Sequence, residues 1–479
     1  MRNSKNIHTS WLIAAASASF VVGAYLSLFT TFFARFEWLF LALCLNTVAF
    51  KRKNVLAVFI IVMSGLLAGL WRAGIELQAQ SQFSKFFGND TTLVGRVAED
   101  PSYDTDGDLR LKLKDVTVDD DKLSGVVWVA TSQRVTIKRS DEVTVSGKLD
   151  KGFGTIAAAV YRARVEHVIR QDYVDVGRDV RDSFASNIRK SIREPEASLG
   201  AGFLLGQKSE LPEKLDNELR LLGLTHIVVA SGYNLTILVR FARRLFSRIS
   251  RFTALATSGL LIYGFAQLTG FSPSMTRASL VTALSLIAWY YGRKLHPLVL
   301  LPFSAAITIA INPSYAWGDI GWLLSFTSFI GVIMLSPLVH AYFWDDKKPG
   351  SVRQVFIETM SAQVLTLPII AYVFGQYSPL ALPANFLILP LIPLAMLFTF
   401  IAGSLSFITA LTGFVGLPAE LVMRYMTTIV DKLAVLPQAS SEVEFTMTTV
   451  VVFYITLIAA MVYLWRRTGY QFREYNVIE

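Results

Sequence analysis

The sequence predicts a polytopic α-helical membrane protein with an inserted small extracytoplasmic β-barrel domain of the OB-like type. Three observations predict it. The 479 residues are 53% hydrophobic and only 17% charged, with a mean hydropathy of +0.46, whereas a soluble chain of this size carries far more surface charge. Several apolar runs approach or reach the roughly 20 residues that a helix needs to cross the hydrocarbon core, and helices are the elements that satisfy their own backbone in lipid. Between residues 90 and 172 these runs give way to short alternating segments. The net charge of +9 is first a topology signal, because Lys and Arg gather in cytoplasmic loops; a nucleic-acid patch is the other source of such an excess. The single cysteine, Cys44, excludes an intrachain disulfide and a Cys-based metal site. The five histidines form no HExxH pair, so neither a metal nor a cofactor is expected.

The N-terminal transmembrane helices occupy residues 1–75, with apolar runs near 11–31, 36–50 and 54–72. The first run follows a short basic start as a signal peptide would, but no small-x-small cleavage site stands between its end and the next span, and it reads as a retained span. Arg2 and Lys5 precede it, and Lys51, Arg52 and Lys53 separate the second run from the third. Both basic ends are therefore cytoplasmic, and an odd number of spans leaves the chain outside from residue 75. In the extracytoplasmic domain, residues 90–172, strands are expected at 92–97, 109–113, 125–130, 142–149 and 158–168, because alternation of period two is bounded by Gly and Asp. Five or six short strands in a domain of this size suggest an OB-type barrel, with a single antiparallel sandwich as the alternative. Residues 173–220 read as amphipathic or interfacial helices, and 199–206 is apolar but too short to span and reads as a re-entrant or interfacial helix.

The membrane domain covers residues 221–467, with spans near 221–239, 253–270, 275–292, 297–312, 320–341, 356–374, 380–402, 404–423 and 447–466, followed by a cytoplasmic tail at 468–479. The loop 240–251 holds Arg240, Arg243, Arg244, Arg248 and Arg251 and no acid. Counting spans from an external β domain puts this loop and the later basic ends on the cytoplasmic side, a self-consistent topology. No internal repeat supports an inverted-repeat transporter.

Polar residues at bilayer depth are costly and are functional candidates. The span at 221–239 carries His226, Ser231, Gly232 and Asn234. A Ser-Gly-Tyr-Asn sequence there suggests an unwound helix, which a membrane tolerates only where protein or a water-filled cavity covers it; close packing through small residues is the alternative. Ser272 and Pro273 read as a helix start, with Arg277 in the first turns, placed either to meet a phosphate or to snorkel to headgroups. Asp319 opens another span and is a candidate partner for Arg277; Ser325 lies within that span. Gln363 and Asn385 lie in helices that Pro368, Pro383, Pro390 and Pro393 should kink.

In order, these clusters resemble the competence domain of the ComEC family. The pattern opens with FLLGQKSELP, from Phe203 to Pro212, and continues with Gly223, Leu224, His226, Ser231 and Gly232. It runs on through Gly270, Pro273, Ser274, Arg277 and Ala278, then Asn312, Pro313, Asp319, Gly321, Leu324, Ser325 and Phe326, and ends with Gln363, Thr366, Pro368, Asn385 and Pro390. Where the family's usual motif is Ser-Gly-x-His, this chain has Asn234, which keeps hydrogen-bonding capacity but does not titrate near neutral pH.

The resemblance implies an inner-membrane channel, not an enzyme, for uptake of single-stranded DNA during natural transformation, seated as a multi-pass protein in the cytoplasmic membrane. The implied translocation path comprises His226, Ser231, Gly232, Asn234, Arg277, Asp319, Ser325, Gln363 and Asn385. The β domain would bind the strand through Tyr103, Lys112, Lys114, Trp128, Arg134, Lys138, Arg139, Lys148 and Lys151, with Phe153 and Tyr161 as further stacking residues. The implied partners are single-stranded DNA, the lipid bilayer, a cytoplasmic ATPase or helicase, a separate nuclease, an envelope DNA receptor and further copies of the chain. An ATPase is looked for elsewhere because no GxxxxGK[ST] occurs, and a nuclease because the chain reaches Glu479 with no HxHxDH motif. Two other readings remain open: a transporter or envelope-assembly scaffold for another substrate, and an intramembrane serine hydrolase built on Ser231, which needs a histidine base within reach.

Overall fold

A computed structural model of the chain describes residues 8–52, 55–104, 107–170, 175–207, 210–228, 231–293, 296–344, 350–406 and 412–472. Arg2, Lys5, Lys53 and most of the predicted cytoplasmic tail lie outside them. Helices α1 (Thr9–Leu26), α2 (Phe36–Arg52) and α3 (Val55–Gln80) come first. Eight strands follow: β1 (Asp90–Val97), β2 (Ser102–Tyr103), β3 (Leu109–Val118), β4 (Asp121–Leu123), β5 (Val127–Thr131), β6 (Glu142–Lys151), β7 (Ala158–Val160) and β8 (Arg164–Ile169). Then come α4 (Val176–Ser191), α5 (Glu196–Leu205), α6 (Glu213–Leu221), α7 (Thr225–Val228), α8 (Gly232–Phe246), α9 (Arg251–Thr269), α10 (Pro273–Tyr290) and α11 (Pro297–Ile311). The rest are α12 (Ile320–Ile330), α13 (Ser336–Trp344), α14 (Ser351–Phe374), α15 (Ala381–Ile388), α16 (Ile392–Leu405), α17 (Thr412–Ala434) and α18 (Met447–Thr468).

Among the described residues, seven helical stretches are long and apolar enough to cross a membrane: Thr9–Phe29, Leu56–Lys85, Arg251–Thr269, Ile320–Trp344, Val352–Phe374, Ala381–Leu405 and Met447–Thr468. The chain is a multi-pass membrane protein. The span expected at 221–239 is instead the pair α7 and α8, and the one expected at 297–312 is α11, whose 15 residues rise only about 22 Å. The span expected at 404–423 runs across residues outside the described set and does not coincide with α17.

The chain forms two compact units, Met1–Val176 with Leu295–Trp322, and Gly177–Lys294 with Leu323–Glu479. In the first, α1 lies against α3 through small residues: a Cβ on Gly23 would stand 2.2 Å from the Leu66 carbonyl oxygen, and one on Gly69 2.1 Å from that of Phe20. Such backbone-to-backbone approach is how helices pack where the solvent is as apolar as the side chains. Arg72 donates from Nε to the Ala310 carbonyl at 2.9 Å and from Nη2 to that of Ile311 at 3.2 Å, which satisfies the orphan carbonyls ending α11.

The same unit holds the barrel. Its strands run in the order β1-β3-β5-β7-β6, and β6 pairs back onto β1 to close it. Within the ring β5 and β7 run parallel. Counting β1, β3, β5, β6 and β7 as first to fifth, the circuit is first, second, third, fifth, fourth, first, which is the OB connectivity. The alternation seen in the sequence fills the interior: Leu93, Leu111, Leu113, Val127, Val129, Val143, Val145, Leu149 and Val160 are all buried. A closed ring leaves none of these five strands with a free edge. Behind it, Arg139 donates from Nε and Nη2 to the two oxygens of Asp175 at 2.7 and 2.9 Å, and Ser140 Oγ donates to Asp175 at 2.9 Å. Both partners are largely buried, so Asp175→Ala strands a buried cation and should cost about 3–5 kcal/mol, read as a fall in the barrel's resistance to proteolysis. The double change Arg139→Leu/Asp175→Ala should recover much of the loss.

In the second unit the core forms around α5. All ten of its residues are buried, and a Cβ on Gly200 would press on Met423 of α17 and Thr399 of α16. Of the two readings of the piece at 199–206, burial along the whole helix leaves no face for an interface, while a re-entrant helix enclosed by its neighbours stays compatible with it. Nearby, Lys214 of α6 reaches Asp431 of α17 at 3.2 Å and Glu218 at 3.4 Å. Burial pushes the Glu218 carboxyl above its ordinary value of 4.5, and its hydrogen bond with Asp431 pushes the same way. Folding therefore takes up a proton at Glu218. The fold should lose stability as pH rises from about 4.5 through the raised value, and Glu218→Gln should flatten that slope in thermal unfolding of the detergent-solubilised protein.

Candidate functional site

The membrane cluster begins at the break between α7 and α8. Val229 and Ala230 lie outside the described residues. Ser231 is the N-cap of α8: its Oγ accepts from Asn234 N at 3.4 Å and donates to Asn234 Oδ1 at 3.1 Å. Gly232 thus opens a helix instead of weakening the middle of one. A Cβ on it would stand 2.9 Å from the Ala278 Cβ of α10, so it lets α8 lie against the turn that follows Arg277. Asn234 is fully buried, and its Nδ2 donates to the Phe203 carbonyl near the end of α5 at 2.9 Å. Its amide is engaged in helix packing, the alternative noted for this span. His226 Nδ1 lies 2.9 Å from the Gly223 carbonyl.

Ser272 caps α10, accepting from Met275 N at 3.4 Å, with Pro273 in the first position as the sequence predicts. Arg277 on this helix is 3% exposed. It is a buried cation, not a snorkelling one. Its Nη2 donates to Ser274 Oγ at 3.2 Å, and its guanidinium lies 5.5 Å over the Phe326 ring of α12, a cation–π contact that gains strength when desolvated. Ser325 is the neighbour of Phe326. Five residues beyond Phe326, a single π-helical turn, Gly331–Leu335, interrupts the span. There a Cβ on Gly331 would meet the Ser361 carbonyl oxygen of α14 at 2.6 Å. This close approach falls two residues from Gln363, whose Oε1 is buried without a hydrogen-bond partner, as is Oδ1 of Asn385 on α15. Such turns concentrate at functional positions; the sequence carries no signal for this one beyond a mid-span glycine. Pro368 sits inside the continuous α14, and a 3-10 turn at Leu389–Leu391, containing Pro390, separates α15 from α16. A cavity of about 710 Å³ lined by Gly350, Val352, Arg353, Phe356 and Phe386 opens at the start of α14; none of the residues expected on the path lines it.

Asp319 belongs to the other compact unit, where its Oδ1 accepts from Trp322 N at 2.5 Å and so caps α12. Trp322 Nε1 donates to Thr308 Oγ1 at 2.9 Å.

On the barrel, Trp128 of β5 has Tyr161 at 5.2 Å and Phe153 at 5.9 Å between ring centroids, with the Arg110 guanidinium 5.8 Å over its own ring. Phe153 lies in the loop between β6 and β7, and Tyr161 follows β7 directly. Lys112 pairs with Trp128 across β3 and β5, and Tyr103 lies across β2 and β3 opposite Leu109. Phe153 and Tyr161 are about half exposed. The second and third barrel strands, with the first and fourth loops, form the face on which OB barrels take oligonucleotides. Arg110 is the residue the sequence reading missed. The Leu-Arg-Leu-Lys-Leu-Lys alternation of β3 puts it on the same face as Lys112 and Lys114. Two of these cations have acidic partners, Arg110 with Asp104 and Lys112 with Glu99, both at 2.9 Å. Lys151 ends β6, two residues before Phe153, while Lys148 stands opposite Asp90 on β1. Arg134 and Lys138 lie in the segment between β5 and β6, away from the aromatic group in sequence. Arg139 is corrected: its guanidinium is held by Asp175 and serves the barrel's own packing. The loop with Phe153 docks tightly on the segment before α12, where a Cβ on Gly318 would stand 2.3 Å from the Gly154 carbonyl carbon.

Asn234→Leu leaves the Phe203 carbonyl unmatched and should cost about 1–3 kcal/mol; a lowered midpoint in thermal unfolding of the detergent-solubilised protein, with membrane insertion intact, is the expected readout.

The family model described as "Competence protein" matches residues 203–468. A relative from Bacillus subtilis (strain 168), ComE operon protein 3, is 26% identical over 186 residues, 38% of this chain and 23% of that one. A relative from Aquifex aeolicus (strain VF5), described as an uncharacterized protein, is 24% identical over 256 residues, 52% of this chain and 58% of that one. The chain thus covers less than two thirds of either relative's length. No solved structure matches it. The matched segment holds α8, α10, the π turn and α14 with their buried polar side chains, and the chain belongs to the competence protein family.

Proposed function

We propose that this protein passes single-stranded DNA across the cytoplasmic membrane during transformation. The observation that carries the proposal is Arg277: a buried, charged side chain within apolar helices, inside the segment matched to the competence family. An ionisable group at that depth is a functional candidate, and a phosphodiester is a ligand that a guanidinium matches well. Ser231, Ser325, Gln363 and Asn385 complete the path, with acceptors on Gln363 and Asn385 that helix packing has not used. Gly232, Asn234, His226 and Asp319 shape the surrounding helices.

The barrel receives the strand. Bases stack on Trp128, Tyr161 and Phe153, and Arg110, Lys112, Lys114 and Lys151 face the phosphates. An external barrel is supported by its docking on Gly318, between α11 and α12, and by the basic ends of the topology, which fall on the opposite side of the membrane. A cytoplasmic ATPase or helicase, a separate nuclease and an envelope DNA receptor would supply energy, strand degradation and delivery.

Arg277→Ala should abolish uptake of labelled DNA and transformation while the protein reaches the membrane at normal levels, and Arg277→Lys should keep part of the activity. Wild-type uptake by Arg277→Ala would sink the proposal. Trp128→Ala should weaken binding of a single-stranded oligonucleotide by about 1–3 kcal/mol.

A further inference from the structure

The end of α8 and the start of α9 carry two stripes of side chains offset by one residue. Arg240, Arg244, Arg248 and Arg251 form one; Phe241, Leu245, Ile249 and Phe252 form the other. On α8, Arg240 with Arg244 and Phe241 with Leu245 are four residues apart and so lie on one side of the helix; Arg248 and Ile249 lie in the turn that follows, and Arg251 and Phe252 open α9. All eight are exposed, and the apolar four strongly so: Phe241 60%, Leu245 49%, Ile249 72% and Phe252 67%. No Asp or Glu occurs between Glu218 and Asp319, so no acid of this long stretch offsets the arginines. Arg240 is close enough to Glu358 for their charges to interact, and Arg243 lies 5.3 Å over the Trp289 ring. Among the described residues, the guanidinium groups of Arg244, Arg248 and Arg251 have no hydrogen-bond or ion-pair partner.

The position of these stripes along the chain sets their depth. Ser250 caps α9, its Oγ accepting from Thr253 N at 2.9 Å, and the 19-residue helix that starts at Arg251 is long and apolar enough to cross a membrane. Residues 244–252 therefore stand at one headgroup layer, where large exposed apolar side chains contact acyl chains and adjacent cations contact phosphates.

We propose that residues 240–252 form a binding surface for anionic phospholipid, with Arg244, Arg248 and Arg251 on the headgroup phosphates and Phe241, Leu245, Ile249 and Phe252 seated among the acyl chains. The apolar stripe decides between a lipid and a nucleic-acid strand. Leu245 and Ile249 offer no flat ring on which a base can stack, while branched aliphatic side chains suit hydrocarbon. The surface holds the arginine-rich turn against the leaflet and fixes the height of α8, whose other end carries Ser231. This inference is independent of the DNA reading.

The test uses the full-length protein in phosphatidylcholine nanodiscs with traces of spin-labelled phosphatidylglycerol or spin-labelled phosphatidylcholine, and compares the motionally restricted fraction of each. The wild type should prefer phosphatidylglycerol severalfold, and added salt should weaken that preference. Each cation removed should reduce it up to about fivefold, so R244Q/R248Q/R251Q should bring the two lipids close to parity, while R244K/R248K/R251K keeps the preference and reports on folding. L245S/I249S should lower the restricted fraction of both lipids. Absence of the preference in the wild type, or its survival in the glutamine variant, would overturn the inference. So would a glutamine variant that loses affinity for a single-stranded oligonucleotide and leaves lipid selectivity unchanged, because the surface would then serve the strand.

Discussion

The second compact unit depends on how one short helix hides its backbone. Helix α5 is ten residues long and buried throughout, so its last carbonyls have neither water nor lipid headgroups to turn to. An orphan carbonyl in such a place costs free energy comparable to a lost hydrogen bond. Asn234 answers it, donating to Phe203 from the first turn of the neighbouring helix. That bond forms because Ser231 is extended and α8 starts at Gly232: an uninterrupted helix from 221 to 239 would carry the amide at a different height and angle. Ser231 then caps the new helix and engages the same amide. The break, the cap and the buried amide are one solution to one unsatisfied group.

The same accounting separates the arginines by what holds them. Arg139 meets Asp175 through two parallel bonds, and Arg72 ends α11; both serve the fold. Arg277 is buried over an aromatic face and a hydroxyl, neither of which carries a full negative charge. These contacts hold the cation among the helices of the segment matched to the competence family. Arg110, over Trp128 yet bound to Asp104, lies between these cases: a strand that displaced the carboxylate would exchange one anion for another at the same aromatic face, at modest net gain and with strong dependence on salt.

Much of the fold was legible because its signals are local. Alternation in 92–97, 109–113 and 142–149 marked barrel strands whose inward residues are now the buried interior, and Ser272 with Pro273 marked the start of α10 two residues from the expected span. What stayed hidden was pairing at a distance. Nothing near Arg139 in the sequence points to Asp175, 36 positions on, so a buried structural cation looked the same as a solvated one. Asn234 looked like a lining residue because its acceptor, Phe203, lies 31 positions earlier in a segment too short to be recognised as a buried helix. The π turn at Gly331–Leu335 was invisible because its cause is the backbone of Ser361, not its own residues.

These distinctions bear on how a charged polymer could cross this protein at all. A path lined only by satisfied groups would offer a phosphate nothing in exchange for its hydration, and a path of unpaired cations would hold it too tightly to release. In the membrane unit the buried Arg277 guanidinium meets a ring and a hydroxyl, and on other helices the amide oxygens of Gln363 and Asn385 are buried without a hydrogen-bond partner. Acceptors of that kind repel phosphate but bond to water and to the donor edges of bases. On the proposed path, a cation for the backbone and acceptors for the bases would divide the two chemistries of a nucleic-acid strand between separate helices, so no single contact would need to be strong enough to stop its movement.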